Sequence, residues 1–224
     1  MEEKRKRVNF RATRCDQCKL HPNLCVCGAI VPQTTRTKIT LVMPRVESQK
    51  PTNTGLLATY CLPNSDVFHR EYNAPEPEAL DPDYQSLLLF PGEDAVCLST
   101  YRDDPRPVQL IVPDGTWRQA TKMRRRVPCL RPVPRVILPD GPPSEYQLRR
   151  GQPEGRLSTM EAVARALGVL EGPEVQAHLE HIFRLKVDRY LWQMGKIAKA
   201  DIYGGIAPGV FAHDPLSGLP GAEG

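Results

Sequence analysis

The chain has 224 residues, 40% of them hydrophobic, and a formal net charge of +4. That is enough apolar material for one domain with a substantial core, which excludes global disorder. No apolar run approaches the roughly 20 residues that span a bilayer, so no membrane partner is expected.

The N-terminus, Met1-Glu2-Glu3-Lys4-Arg5-Lys6-Arg7, lacks the apolar stretch of a secretory signal and reads as a basic, poorly ordered tail over residues 1–14 of a cytoplasmic protein. Cys15, Cys18, Cys25 and Cys27 follow within a short segment, residues 15–36, that holds little else to build a core. In a reducing compartment, crowded cysteines favour metal over disulfides. A Cys-x2-Cys turn directs two sulfurs to adjacent corners of a tetrahedron, and the Cys25-Val26-Cys27 pair supplies the other two. Structural zinc is therefore expected on these four thiolates. An iron–sulfur cluster fits the compact spacing less well, and His21, hindered by Pro22, is a weaker ligand. Cys61, Cys97 and Cys129 sit beside apolar residues and read as buried thiols.

From Thr37 the pattern alternates between strand and helix up to residue 203. Strands are predicted at Ile39–Met43, Val67–Glu71, Ser86–Phe90, Gln109–Val112 and Arg135–Leu138. Helices are predicted near Thr54–Cys61, Thr116–Arg125, Thr159–Leu170 and Glu174–Ile197. In the last, Val175, Leu179, Ile182, Phe183, Val187, Tyr190, Leu191 and Met194 mark one apolar face. The most apolar strands read as covered on both faces, so the fold class is α/β with a mainly parallel sheet. Prolines, 23 in all, concentrate in connections. The glycine- and proline-rich residues 204–224 read as a loose tail.

Charge is unevenly distributed. Between Glu71 and Tyr101 there are acidic residues but no Lys or Arg, whereas cations cluster at Lys4–Arg14, Lys122–Arg135 and Arg149–Arg156. This suits a polyanionic partner, or simply separate solvated faces. Three motifs follow strands or open helices. Val112-Pro113-Asp114-Gly115-Thr116-Trp117 sets Asp114 beyond a strand's carboxyl end, where ligands bind in open α/β sheets. Taken alone, helix capping by Asp114 or Thr116 is the simpler reading, and Trp117 is more simply a core anchor than a stacking platform. Lys50-Pro51-Thr52-Asn53-Thr54-Gly55 either holds a phosphate at a helix N-terminus or caps it. Leu157-Ser158-Thr159-Met160-Glu161-Ala162 has capping-box spacing.

Together these segments resemble the DTW-domain family: Asp114-Gly115-Thr116-Trp117 is its namesake motif. Thr52-Asn53-Thr54-Gly55 lies upstream, Leu89-Phe90-Pro91 between, Leu157–Ala162 downstream, and a cysteine knuckle precedes them all. The resemblance implies a monomeric tRNA-uridine aminocarboxypropyltransferase of SPOUT type, with a trefoil knot. S-adenosylmethionine would be the donor, N3 of a uridine in tRNA the acceptor, and methylthioadenosine the leaving product. It points to Phe90, Pro91, Gly92, Leu138, Ser158 and Thr159 as the cofactor cradle, with Tyr146 either stacking there or packing in the core. Asp114 is the expected catalytic carboxylate, as base or as an orienting charge. Lys50, Asn53, Lys122, Arg124 and Arg125 are the expected RNA contacts, with Arg126, Arg149 and Arg150 extending the surface. Two departures stand out: Leu56 occupies the place of the family's usual Arg, and no His lies within Met43–Glu47. A SPOUT-type methyltransferase and a non-catalytic zinc-containing RNA-binding module are the rival readings.

Overall fold

The computed structural model describes residues 14–70, 80–146 and 157–206. The expected tail up to residue 13, Glu71 of the second predicted strand, the Arg149–Arg156 cluster and the tail from residue 207 lie outside them.

Six strands, β1 (Lys38–Pro44), β2 (Ser65–Arg70), β3 (Gln85–Leu89), β4 (Val96–Cys97), β5 (Val108–Pro113) and β6 (Arg135–Ile137), form one sheet in the order β2-β1-β5-β3-β6-β4. Every pairing is parallel. The helices are α1 (Arg45–Ser48), α2 (Gly55–Cys61), α3 (Trp117–Arg126), α4 (Thr159–Leu170) and α5 (Pro173–Gln193). The α/β expectation with a parallel sheet holds, and each predicted strand and long helix has a counterpart. Two elements were not predicted, β4 and α1, because two and four residues are too few to show a period.

Side chains alternate across the sheet. Ile39, Leu41, Met43, Leu87 and Leu110 join the residues of α2, α4 and α5 in the larger apolar cluster. Val42, Leu88 and Ile111 join Ala120 and Met123 of α3 in a smaller one. The central strands are apolar on both sides for this reason. Where the smaller cluster ends, Gln109 replaces apolar packing with hydrogen bonds. Its Nε2 donates to Thr40 Oγ1 at 2.9 Å, and its Oε1 accepts from Ser86 Oγ at 2.9 Å.

The cysteine segment is built from single 3-10 turns at Pro22–Leu24 and Cys27–Ala29. Its apolar residues join the main core rather than forming a separate one. Leu20 and Leu24 are fully buried, and Val26 is almost so, in the same cluster as α5. Arg189 of α5 reinforces the junction, donating through Nη1 to the Cys25 carbonyl at 2.9 Å. This explains a difference in α5. Leu185, Lys186 and Trp192, outside the predicted apolar face, are buried, while Met194 on that face is 52% exposed. The helix also stops earlier than Ile197, because Gly195 takes a left-handed φ of 66° and the Lys196 N–H returns to the Leu191 carbonyl at 2.9 Å.

A shared core predicts shared unfolding. Leu24→Ala should cost about 2–5 kcal/mol, the usual range for a fully buried leucine, and lower the midpoint of a single denaturation transition. Separate melting of the knuckle, with the sheet's transition unmoved, would contradict this.

Candidate functional site

The chain leaves β1 toward β2 and leaves β5 toward β6, which lie on opposite sides of the β1–β5 pair. Diverging connections open a crevice beyond the carboxyl ends of these two strands. Asp114 stands there as the first residue after β5, its N–H donating to the Val42 carbonyl at 2.8 Å. Its carboxylate is turned inward and only 1% exposed. Oδ2 accepts from Asn53 Nδ2 at 2.6 Å, and Oδ1 accepts from Thr159 Oγ1 at 2.5 Å. Asn53 comes from the loop after β1 and Thr159 opens α4, so one carboxylate joins three segments.

Local sequence explains each placement. Asn53 Oδ1 accepts the Leu56 N–H at 3.0 Å, which caps α2 and leaves the amide nitrogen aimed at Asp114. Gly55 allows the close approach, since a Cβ there would lie 2.5 Å from Asp114 Oδ2. Capping of α3 belongs to Thr116, which forms a reciprocal box with Gln119, and not to Asp114. Ser158 and Glu161 form the expected box at the start of α4. Glu161 does more than cap: it also accepts from Ser144 Oγ at 2.7 Å and from the Glu145 N–H at 2.8 Å. Tyr146, thus fixed, donates its hydroxyl to the Thr52 carbonyl at 2.7 Å.

Lys186 was missed by the sequence reading. It is 1% exposed, and its Nζ donates to the backbone carbonyl of Asn53. Burial pushes its ammonium down to about 8, against the opposing charges of Cys18 and Asp114. A signal existed. Lys186 follows Leu179, Ile182 and Phe183 at helical spacing, so a lysine stands on an apolar stripe.

Beside Asp114 lies a cavity of about 480 Å³, within the range of small-molecule sites. Of the expected cradle, Phe90, Pro91, Leu138, Tyr146, Ser158 and Thr159 line it. Gly92 does not; it lies against the guanidinium of Arg135, where a Cβ would collide. Trp117 also lines the cavity, 48% exposed and stacked on Phe90 with ring centroids 4.9 Å apart. It is a rim residue and not the core anchor expected.

The expected RNA contacts divide. Lys122 and Arg125 are exposed on α3 and Arg124 is half-buried. Lys50 instead pairs with the buried carboxylate of Glu47 at 2.5 Å. Asn53 is 3% exposed and serves Asp114 and α2, so it belongs to the interior and not to an RNA surface. Leu56, where the family's usual Arg would stand, packs against the main core.

The four clustered cysteines converge. Their sulfurs all lie within 4.8 Å of one another, with Cys15–Cys27 at 3.6 Å and Cys18–Cys25 at 3.7 Å. Sulfurs about 2.3 Å from a tetrahedral ion would be about 3.8 Å apart, so the set fits a metal. All seven cysteines are free of disulfides. Burial pushes the Cys18 thiol up to about 11, whereas Cys15, although burial raises it too, is brought down to about 7 by backbone and neighbouring thiol hydrogen bonds. His21 is engaged otherwise, its Nδ1 accepting the Asn23 N–H at 3.2 Å. Of the scattered cysteines, Cys61 is fully buried, whereas Cys97 and Cys129 are only partly so.

No helix among the described residues is long and apolar enough to cross a membrane. The DTW domain profile matches residues 12–191. The tRNA-uridine aminocarboxypropyltransferase 2 of Drosophila melanogaster is 30% identical over 179 residues, covering 75% of this chain and 71% of that protein. The protein of the same name from Macaca fascicularis is 30% identical over 72% of this chain, which spans 57% of its length. The tRNA-uridine aminocarboxypropyltransferase A of Arabidopsis thaliana is 28% identical over 79% of this chain and 80% of its own. No solved structure matches. With a profile that runs from before the knuckle into the last helix, the chain belongs to the DTW domain family.

Proposed function

We propose that this chain transfers the 3-amino-3-carboxypropyl group from S-adenosylmethionine to N3 of a uridine in tRNA. The observation that carries the reading is the Asp114 carboxylate bound to Thr159 at the lip of the 480 Å³ cavity, in a chain whose relatives are named tRNA-uridine aminocarboxypropyltransferases. The donor supplies an alkyl group activated on a sulfonium, and methylthioadenosine leaves. The residues present fit it. Phe90, Pro91 and Leu138 offer apolar walls for the adenosine, while the N–H groups at the start of α4 offer a partial positive charge for the carboxylate end.

Asp114 and Thr159 serve two ends in this reading. The fixed negative charge of Asp114 favours a sulfonium nearby, because both are held out of water. The uridine N3 proton must also leave as nitrogen attacks. Thr159 Oγ1 takes that proton while passing its own to Asp114, so the buried carboxylate needs no direct contact with the base. Lys186 and Asn53 position the pair. The choice of alkyl carbon over methyl lies in which carbon the cavity presents in line.

The cations of α3, with exposed Lys122 and Arg125 and half-buried Arg124 at their centre, form the RNA-facing surface, and the four cysteines hold structural zinc. A SPOUT-type knotted arrangement is part of the same proposal. It is supported by the parallel sheet and by a cavity bounded by the segments after β3, β5 and β6 and by the start of α4.

Incubation of tRNA with the purified protein and S-adenosylmethionine should give an aminocarboxypropylated uridine and methylthioadenosine, read by nucleoside mass spectrometry. A methylated nucleoside with S-adenosylhomocysteine would overturn the reading in favour of a methyltransferase. Asp114→Asn should reduce turnover by roughly 10²–10⁴-fold, the span for loss of a positioned proton acceptor. Its cost in stability should be about 1 kcal/mol or less, because the new amide can accept from Asn53 through its oxygen and donate through its nitrogen to Thr159 Oγ1. Elemental analysis should find about one zinc per chain, with chelation lowering the melting temperature; zinc-free protein carrying knuckle disulfides would exclude the site. Reversal of Arg124 and Arg125 to Glu should flatten the salt dependence of tRNA binding, each lost phosphate contact lowering the slope by about 0.7–0.9. An unchanged slope would move the RNA surface off α3.

A further inference from the structure

The last helix carries two cations that are withdrawn from water. Lys186 and Arg189 stand at i and i+3 of α5, one turn apart on one face. Lys186 is 1% exposed and Arg189 is half-buried. Arg189 donates through Nη1 to the carbonyls of Cys25 at 2.9 Å and Leu24 at 3.4 Å, and through Nη2 to that of Gly205 at 3.4 Å. These acceptors are dipoles and carry no full charge. Its Nε is buried and has no hydrogen-bond partner among the described residues. A guanidinium so placed is costly unless an anion lies close by.

The cysteine cluster supplies that anion. Burial weakens the hold of both side chains on their protons, and the cysteines restore part of it. Cys25 and Cys18 do so for Arg189, and Cys18 and Cys27, together with Asp114, for Lys186. Half-buried Lys19, within the knuckle, is a like charge acting against Lys186. Four thiolates around one divalent ion leave two negative charges in excess. Backbone N–H groups offset part of this, as where Cys27 N–H donates to Cys25 Sγ at 3.4 Å. Cys18 is nevertheless fully buried, so water screens the excess poorly on the side of α5.

On the reading of the four cysteines as a zinc site, we infer that Lys186 and Arg189 are positioning residues for the loaded centre, neutralising its excess charge and docking α5 against it. Arg189 acts on the ligand Cys25 through its carbonyl, as outer-shell partners of metal sites do. Lys186 faces two ways. Its Nζ also donates to the Asn53 carbonyl, so the charge that answers the metal centre anchors the loop that holds Asp114.

Charge and simple hydrogen bonding are separated by comparing the zinc-loaded and the stripped full chain, because protonated thiols present no anion. Arg189→Gln keeps a donor for the Cys25 carbonyl and loses the charge. It should lower zinc affinity, read by competition with a colorimetric chelator, by roughly 10–100-fold, the span for loss of an outer-shell partner. Its melting temperature should also fall further below wild type in the loaded protein than in the stripped one. Arg189→Lys, which keeps the charge, should recover most of the affinity. Lys186→Met, similar in length and uncharged, should weaken zinc binding by a comparable factor. Unchanged zinc affinity in either neutral variant overturns the pairing. So does an equal loss of melting temperature in both forms, or an Arg189→Lys variant no better than Arg189→Gln, since Arg189 would then be a hydrogen-bonding tie alone. Wild-type protein that binds no zinc refutes the metal reading and the pairing with it.

Discussion

The Asp114 carboxylate holds the site together, because it is charged, buried and bound by donors from two distant segments. A carboxylate removed from water is costly unless donors replace the lost hydration. Here Asn53 and Thr159 do so with short bonds, of the charge-assisted kind that is stronger than its neutral counterpart. The dependence runs the other way as well. Without the carboxylate, an amide and a hydroxyl would be left with unmet bonds, the loop after β1 would lose its hold on the loop after β5, and α4 would lose the contact that sets its first turn beside the cavity. Gly55 packs so closely against it that even a Cβ there would lie 2.5 Å from Oδ2, which leaves little room for alternatives.

Strong periodic signals were legible in the sequence. The apolar runs of β3 and β5 and the spacing in α4 declared themselves because burial on both faces, or on one helical stripe, is written in consecutive residues. The convergence of the four cysteines was legible for the same local reason. What escaped was set by partners far away in the chain. Asn53 looked like an RNA contact because its segment opens a helix whose N-terminus could hold a phosphate, and only the fold shows Asp114 within reach. Trp117 looked like a core anchor because large aromatics usually are, and nothing local reveals that Phe90 already fills the space beneath it. Gly92 was placed in the cradle with Phe90 and Pro91 by the family resemblance, whereas in the fold it lies against the guanidinium of the distant Arg135.

Lys186 and the cysteine knuckle show how the back of the site is supported. An ammonium in the core needs an acceptor, and the Asn53 carbonyl provides one just where the β1 loop turns toward Asp114. The knuckle shields the same stretch of α5 from solvent through Leu20, Leu24 and Val26. The two features lie near each other, since Cys18 and Cys27 act electrostatically on the ammonium, and without the lysine the loop would lose an anchor. A four-cysteine cluster is thereby connected to the Asp114 site by packing.

Glu161 sets a limit on how the cavity opens. Its carboxylate receives the N–H of Ser158, the hydroxyl of Ser144 and the N–H of Glu145 at once. The wall that carries Tyr146 therefore cannot swing outward without fraying the first turn of α4, and that turn carries Thr159. Opposite it, the β1 loop is tied by Asn53. The α3 wall is different: its capping box closes within the helix itself, and it meets the sheet through the apolar packing of Ala120 and Met123 and through the Trp117–Phe90 stack, contacts that can slide where a hydrogen bond would break. Whatever widening of the cavity occurs therefore falls on the α3 side, away from the three hydrogen bonds that lock the α4 wall.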